Sequence, residues 1–238
     1  MRLAAALLAA SLVALLTGCA TTPPAPEAPP PADGDTGGIV LQVDVSALIG
    51  ASIAAERIFF VRLDGEAAPD PRPLLVSNFR RDGRVYLLAV PPGRYAAVAA
   101  LRNETTFGTT DSRFAYFPQA LIDRTETTVL AGTLASAGRH AVGLTMPGVC
   151  PDSADAAQLR HAEMLAPGVP KCGFLKIVLH DIATRPMMFA NGVAVPMGNS
   201  VYHHRALPRE GAPAAAGDDL LEQARHDLQG SGWTVPAR

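Results

Sequence analysis

Leu74-Leu75-Val76-Ser77-Asn78-Phe79-Arg80-Arg81-Asp82-Gly83-Arg84-Val85-Tyr86-Leu87-Leu88-Ala89-Val90-Pro91-Pro92-Gly93-Arg94-Tyr95 is the stretch that decides the fold class. Two apolar runs, Leu74 to Phe79 and Arg84 to Val90, flank Asp82-Gly83. Those two residues adopt positive φ at little cost, so the pattern predicts a β-hairpin. Next, Pro92 presets φ at the second position of a type II turn and Gly93 supplies the positive φ of the third. The chain should therefore reverse into a strand from Tyr95 to Leu101. The same texture of short apolar runs between turn residues continues in both directions, and it predicts a mainly β, antiparallel domain.

Upstream, Ile39, Leu41, Val43 and Val45 alternate with Val40, Gln42, Asp44 and Ser46, as in a half-buried strand. Ile58 to Leu63 is apolar on both faces, which predicts a central strand with its second side covered. Downstream, Ser112 to Phe117, Thr127 to Ala131 and His140 to Thr145 read as strands punctuated by Gly132 and Gly138. Asn103-Glu104-Thr105 reads as a loop. The Pro-Pro-Gly-Arg-Tyr turn at residues 91–95, set between two strands, resembles the matching turn of carboxypeptidase regulatory-like and transthyretin-like modules. The resemblance covers Ile39 to Leu144. It implies an antiparallel β-sandwich over residues 39–146 in an interaction or structural role, with no catalytic residues to carry over.

Residues 147–238 are expected to form a C-terminal extension with one or two short helices. The first helix should run from Pro151 to Ala166, capped by Asp152 or Ser153 and ended by Pro167-Gly168. Phe174 to Leu179 reads as a strand. Met187 to Ala190 and Val193 to Val195 read as a hairpin about Asn191-Gly192. Asp218 to Gln229 is amphipathic, with Leu220, Leu221, Ala224 and Leu228 on one face. Asp219 and Glu222 have capping-box spacing, and Gly230 suits the stop. This helix and Trp233 are expected to dock on the β-body, over the second face of Ile58 to Leu63.

At the other end, Arg2 and the apolar run Leu3 to Leu16 have the pattern of a signal peptide, too short to span a bilayer. Leu16-Thr17-Gly18-Cys19 resembles the lipobox of bacterial lipoproteins. That resemblance implies a signal peptide over 1–18 and an acylated Cys19 as the mature N-terminus. Ala20, where Asp would resemble a retention signal, implies the outer membrane, facing the periplasm. Pro23, Pro24, Pro26, Pro29, Pro30 and Pro31 make residues 19–38 a tether. At about 3.1 Å per residue it would reach several tens of Å, with a flexible joint at Gly37-Gly38.

A hydrophobic share of 48% and a charged share of 18% suit a folded body. A net charge of -2 offers no basic footprint for nucleic acid. Arg80, Arg81 and Arg84 flank a turn and read as a solvated loop tip rather than an anion site. With Cys19 acylated, Cys150 and Cys172 remain as a pair suited to a disulfide in an oxidising compartment.

Ser52 lacks the second glycine of a nucleophile elbow, and no catalytic residues or cofactor are expected. Phe114, Tyr116 and Phe117 read as core rather than as a sugar-stacking platform. The alternative is a metal-binding or hydrolytic centre using His180, Asp181 and His203, with His204, His161 and Glu163 nearby in type. His203 and His204 would point to opposite faces of a strand and so would not share an ion. The favoured reading is a noncatalytic structural or protein-binding lipoprotein module, held by its lipid at the membrane and engaging an envelope protein by strand addition or surface docking.

Overall fold

The computed structural model describes residues 27–31, 34–46, 52–64, 73–106, 109–184, 187–190, 193–196, 200–209, 217–233 and 235. The signal segment, Cys19 and the tether up to residue 26 lie outside the described residues.

The central strand is β1 (Gly37–Ser46), whose alternation is real on both sides. Ile39, Leu41, Val43 and Val45 face the main core, while Val40 faces a second apolar cluster. Gly37 and Gly38, expected as a flexible joint, are therefore the first residues of this strand. On one flank β1 pairs with β6 (Arg84–Val90), antiparallel; on the other it pairs with β10 (Leu134–Leu144), parallel. Short β2 (Ser52–Ala54) adds to the end of β1.

The Asp82-Gly83 hairpin forms as expected. Asp82 and Gly83 have φ of 46° and 79°, and Arg81 pairs with Arg84 across the turn between β5 (Phe79–Arg81) and β6. The expected strand Leu74 to Phe79, however, is split. β4 (Leu74–Val76) pairs instead with β3 (Arg57–Arg62). Ser77 and Asn78 make the transfer: the Ser77 amide donates to the Ile58 carbonyl at 2.9 Å, and the Asn78 side chain both accepts from the Leu88 amide at 2.8 Å and donates to its carbonyl at 2.9 Å.

The Pro91-Pro92-Gly93 corner also carries the chain from one half of the sheet to the other. It links β6 to β7 (Gly93–Thr106), strands that do not pair with each other. Gly93 has φ of 157°, not the roughly 80° of the expected type II turn, and that backbone conformation favours glycine; a Cβ there would also meet the Asp64 carboxylate at 2.7 Å. β7 lies between β3 and β8 (Thr109–Tyr116), with β9 (Thr127–Val129) beside its start. Asn103 to Thr105, expected as a loop, sit inside β7.

The hydrogen-bonded path runs β4-β3-β7-β8-β13-β10-β1-β6-β5 as one mixed sheet that does not close. Its middle strand β13 (Ser200–Pro208) comes from the expected extension and pairs parallel with β8 and antiparallel with β10. The protein is thus mainly β, as expected, but two parallel pairings enter where an antiparallel sandwich was anticipated. Both bring together strands far apart in sequence, a choice that alternation alone does not encode.

Four helices lie among the described residues. Gln119–Thr125 (α1) was not anticipated; its Thr125 hydroxyl accepts from the Ala97 amide at 2.9 Å and seats it on β7. Ala156–Leu165 (α2) starts five residues later than expected because Asp155, not Asp152 or Ser153, is the cap, in a capping box with Gln158. Phe174–Thr184 (α3) replaces the expected strand Phe174 to Leu179; a short apolar run fits either state. The expected hairpin forms as β11 (Met187–Ala190) and β12 (Val193–Pro196), a two-stranded sheet of its own.

Gly217–Asp227 (α4) does dock, through Leu220, Ala224 and Leu228, but not over Ile58 to Leu63. It covers Val40, Tyr86, Leu88 and Leu134 on the outer side of β1, β6 and β10, together with Trp233. β3 needs no such cover, since Ile58 to Val61 are already buried in the main core and the Phe59 ring lies 5.7 Å from that of Phe114. Asp219 does not cap α4; its carboxylate pairs with Arg139 at 3.1 Å. The Trp233 indole donates to the Pro29 carbonyl at 2.8 Å, so the tether rejoins the body well before β1.

Candidate functional site

Two buried polar groupings stand out. The first is where α4 meets the sheet. Arg84, at the start of β6, sends its guanidinium across to Asp227, with Nε to Oδ2 at 2.5 Å and a second nitrogen to Oδ1 at 2.8 Å. A third bond reaches the Gln223 side chain at 2.9 Å. The Tyr86 hydroxyl donates to Asp227, and Arg81 caps the end of the helix by donating to the Asp227 carbonyl at 2.8 Å. The Asp227 side chain is 3% exposed and that of Arg84 12%. The hydrogen bonds from Arg84 to Asp227 hold the guanidinium firmly charged, and burial raises the Tyr86 hydroxyl well above the ordinary phenol range.

This clasp corrects the reading of the arginine cluster as a solvated loop tip. Arg84 and Arg81 are spent on an internal carboxylate and a helix terminus. Forked donors meeting a carboxylate edge-on is a geometry that lysine would not reproduce. Its work is to fix a helix, and no face of Asp227 is left for substrate.

The second grouping surrounds the disulfide. Cys150 and Cys172 are bonded, with Cα atoms 4.8 Å apart. Beside them β13 places His203 and His204 on opposite sides, as expected for neighbours on a strand, and both are 2% exposed. His203 Nδ1 lies 2.7 Å from the Tyr116 hydroxyl, and its ring stacks with those of Tyr116 and Phe114. His204 Nδ1 donates to the Thr145 carbonyl at 2.9 Å. Nε2 of each imidazole is buried with no partner, as is Nδ1 of His161 on α2.

Burial pushes all three histidines down to about 4, with Lys171 adding to the effect at His203, Arg160 at His161 and Arg113 at His204. They are neutral inside the fold at physiological pH. Burial likewise raises the Tyr116 hydroxyl. Gln158 ties this region together: its side-chain nitrogen donates to the Tyr116 carbonyl at 3.0 Å and to the Ala206 carbonyl at 3.3 Å. His203 and Gln158 lie where α2, β8 and β13 meet, while His204 faces Thr145 on the other side of β13. His203 addresses a phenol and His204 a carbonyl, each through Nδ1.

His180 sits half-buried on α3, while Asp181 occupies the next position of that helix. Among the described residues no group of three or more His, Cys, Asp or Glu side chains is placed to hold a metal ion. Glu163 is taken up by Lys171 at 2.6 Å. Phe114, Tyr116 and Phe117 are core or packed against it, as expected. Asn103 spans β7 and its neighbours, donating to Glu56 at 2.7 Å and accepting from Ser112 at 2.8 Å. Ser52 lies in β2.

Sequence reasoning missed Asp227 as the partner of Arg84 and the burial of Arg102. Arg102 is 2% exposed and donates to the Val45 carbonyl at 3.0 Å and to Glu104 at 3.4 Å. An arginine between the apolar Leu101 and the polar Asn103 carries no mark of burial; the signal would have been its place on a strand longer than expected.

An open depression of about 460 Å³ lies at the seam of the sheet, lined by residues including Glu27, Glu56, Arg57, Val76 and Arg80. It carries both signs of charge and no buried reactive group.

No protein-family model matches this sequence, and comparison with curated proteins gives no match either. Among solved structures, a leucine-rich repeat protein from Bacteroides thetaiotaomicron VPI-5482 is similar over 47% of this chain at 11% identity with a TM-score of 0.29, and the chain spans 14% of that protein's length.

Proposed function

We propose that this chain is an outer-membrane-anchored lipoprotein that works as a noncatalytic structural or protein-binding module of the cell envelope. The observation that carries the reading is Leu16-Thr17-Gly18-Cys19 at the end of the apolar run Leu3 to Leu16. The bonded Cys150–Cys172 pair is in keeping with an oxidising compartment. The polar groupings also favour it, since the clasp and the buried histidines are turned inward as fold-holding elements.

The resemblance to transthyretin-like modules enters here as a likeness of use: a β-body whose outer surfaces meet a partner. Surface docking is favoured over strand addition. The two ends of the sheet path, β4 and β5, are three residues long each, and so short an edge offers little ladder to an incoming strand. The test is metabolic labelling with palmitate in intact cells. The parent should take up label and fractionate with outer membranes, and Cys19→Ala should do neither; equal labelling and fractionation of both would sink the proposal. Crosslinking in the intact envelope then identifies the partner.

A further inference from the structure

Immediately after Cys172 the chain leaves the body as an apolar excursion. In α3, Ile177 faces inward at 7% exposure, whereas Leu175 and Leu179, one turn apart, are 68% and 56% exposed. Exposed Lys176 lies beside them. The sequence then runs Met187-Met188-Phe189-Ala190 in β11 and Val193-Ala194-Val195 in β12, strands that among the described residues pair only with each other. An isolated two-stranded hairpin is marginal in water, and an apolar helix face needs cover. The disulfide pins the base of this excursion but supplies no cover for it.

The other end of the chain indicates what covers it. Because the Trp233 indole holds the Pro29 carbonyl, the tether joins the body by about Glu27. Only residues 20–26 remain between Cys19 and that point, and seven residues span at most about 25 Å. A domain of this size is roughly 40 Å across. An acyl chain on Cys19 would hold the body against the bilayer, where even weak surface affinity is sustained by local concentration.

We propose that α3 is a second membrane contact: the Leu175 and Leu179 face lies in the lipid interface, with Lys176 at the anionic headgroups. This rests on the lipoprotein reading for its proximity argument. Short amphipathic elements bind such interfaces through buried apolar side chains and flanking cations.

The experiment separates the two readings. The mature chain, residues 19–238 with Cys19→Ser, has neither lipid nor the apolar run Leu3 to Leu16; it is mixed with vesicles of phosphatidylethanolamine and phosphatidylglycerol and sedimented. It should bind, and Leu175→Asp/Leu179→Asp should lower binding about tenfold or more while the melting temperature stays that of the parent. Lys176→Glu should weaken binding to these vesicles and leave binding to phosphatidylcholine vesicles alone. Equal sedimentation of the parent and the double aspartate variant overturns the proposal. So does a parent that is dimeric in solution and split by the double variant, because the face would then be covered by a second copy. Palmitate labelling of the unmutated protein reads the anchor independently: label without vesicle binding by the Cys19→Ser chain refutes the second contact and spares the anchor.

Discussion

Asp227→Ala is the most searching perturbation of this fold, because one buried carboxylate joins α4 to two side chains of β6. Removing it leaves the Arg84 guanidinium, whose side chain is 12% exposed, with only neutral Gln223 and exposed Asp82, and deprives the fully buried Tyr86 hydroxyl of its acceptor. Breaking one partner of a buried ion pair costs about 3–5 kcal/mol, since the surviving charge keeps its desolvation penalty. A stranded buried hydroxyl adds about 1–3 kcal/mol. For a domain of this length each kcal/mol moves the melting temperature by about 2–4 °C, so a fall of about 10 °C or more is expected. Trp233, the only tryptophan, packs in the same cluster as Leu220 and Leu228 and reports helix docking by its emission. In the variant that emission should shift red at temperatures where far-ultraviolet dichroism still shows strand. The triple variant Asp227→Leu/Arg84→Met/Tyr86→Phe should recover most of the loss, because it removes the stranded groups along with the pair. A single variant that melts within about 1 °C of the parent with unshifted emission would refute the reasoning.

Acid should unfold the protein earlier than carboxylates alone would dictate. His161, His203 and His204 hold no proton in the fold until about pH 4, whereas an unfolded histidine binds one near 6.5. Between those values the unfolded chain carries more protons, so stability is complete above about pH 6.5 and drains away as pH falls toward 4, by about 3 kcal/mol for each histidine at most. Urea melts across this range should show that slope, and His203→Phe should flatten it; an unchanged slope refutes the assignment. Cys150→Ser/Cys172→Ser should cost about 2–4 kcal/mol, read by urea denaturation, and thiol labelling of the unreduced, denatured parent should find neither cysteine free.

What could be read from residues alone was whatever has a local cause. Asp82-Gly83 announces its turn because few residues accept positive φ, and Ile39 to Val45 announces its face by alternation. The amphipathic pattern near the C-terminus was also local, although only the fold separates fully buried Leu220 from half-buried Leu221. The missing parts depend on distant partners. Ser200 to Pro208 carries His203-His204-Arg205 and looks like a surface segment. It forms a central strand because Tyr116, Thr145 and Ser153 meet those side chains from three other parts of the chain. Arg84 looked solvated for the same reason, since its partner lies 143 residues away.

The position of β13 has a consequence for how the molecule comes into being. Without it the path falls into two four-stranded sets, β4-β3-β7-β8 and β10-β1-β6-β5, which share one apolar core and are linked by four chain crossings, at residues 55–56, 77–78, 91–92 and 130–133. β13 follows both of its partners in the chain, so β8 and β10 stay unbridged until residues 200–208 have been added. Pairings over such separations are slow to form. The order of residues along the chain thus leaves completion of the sheet to a long-range pairing rather than to any hairpin.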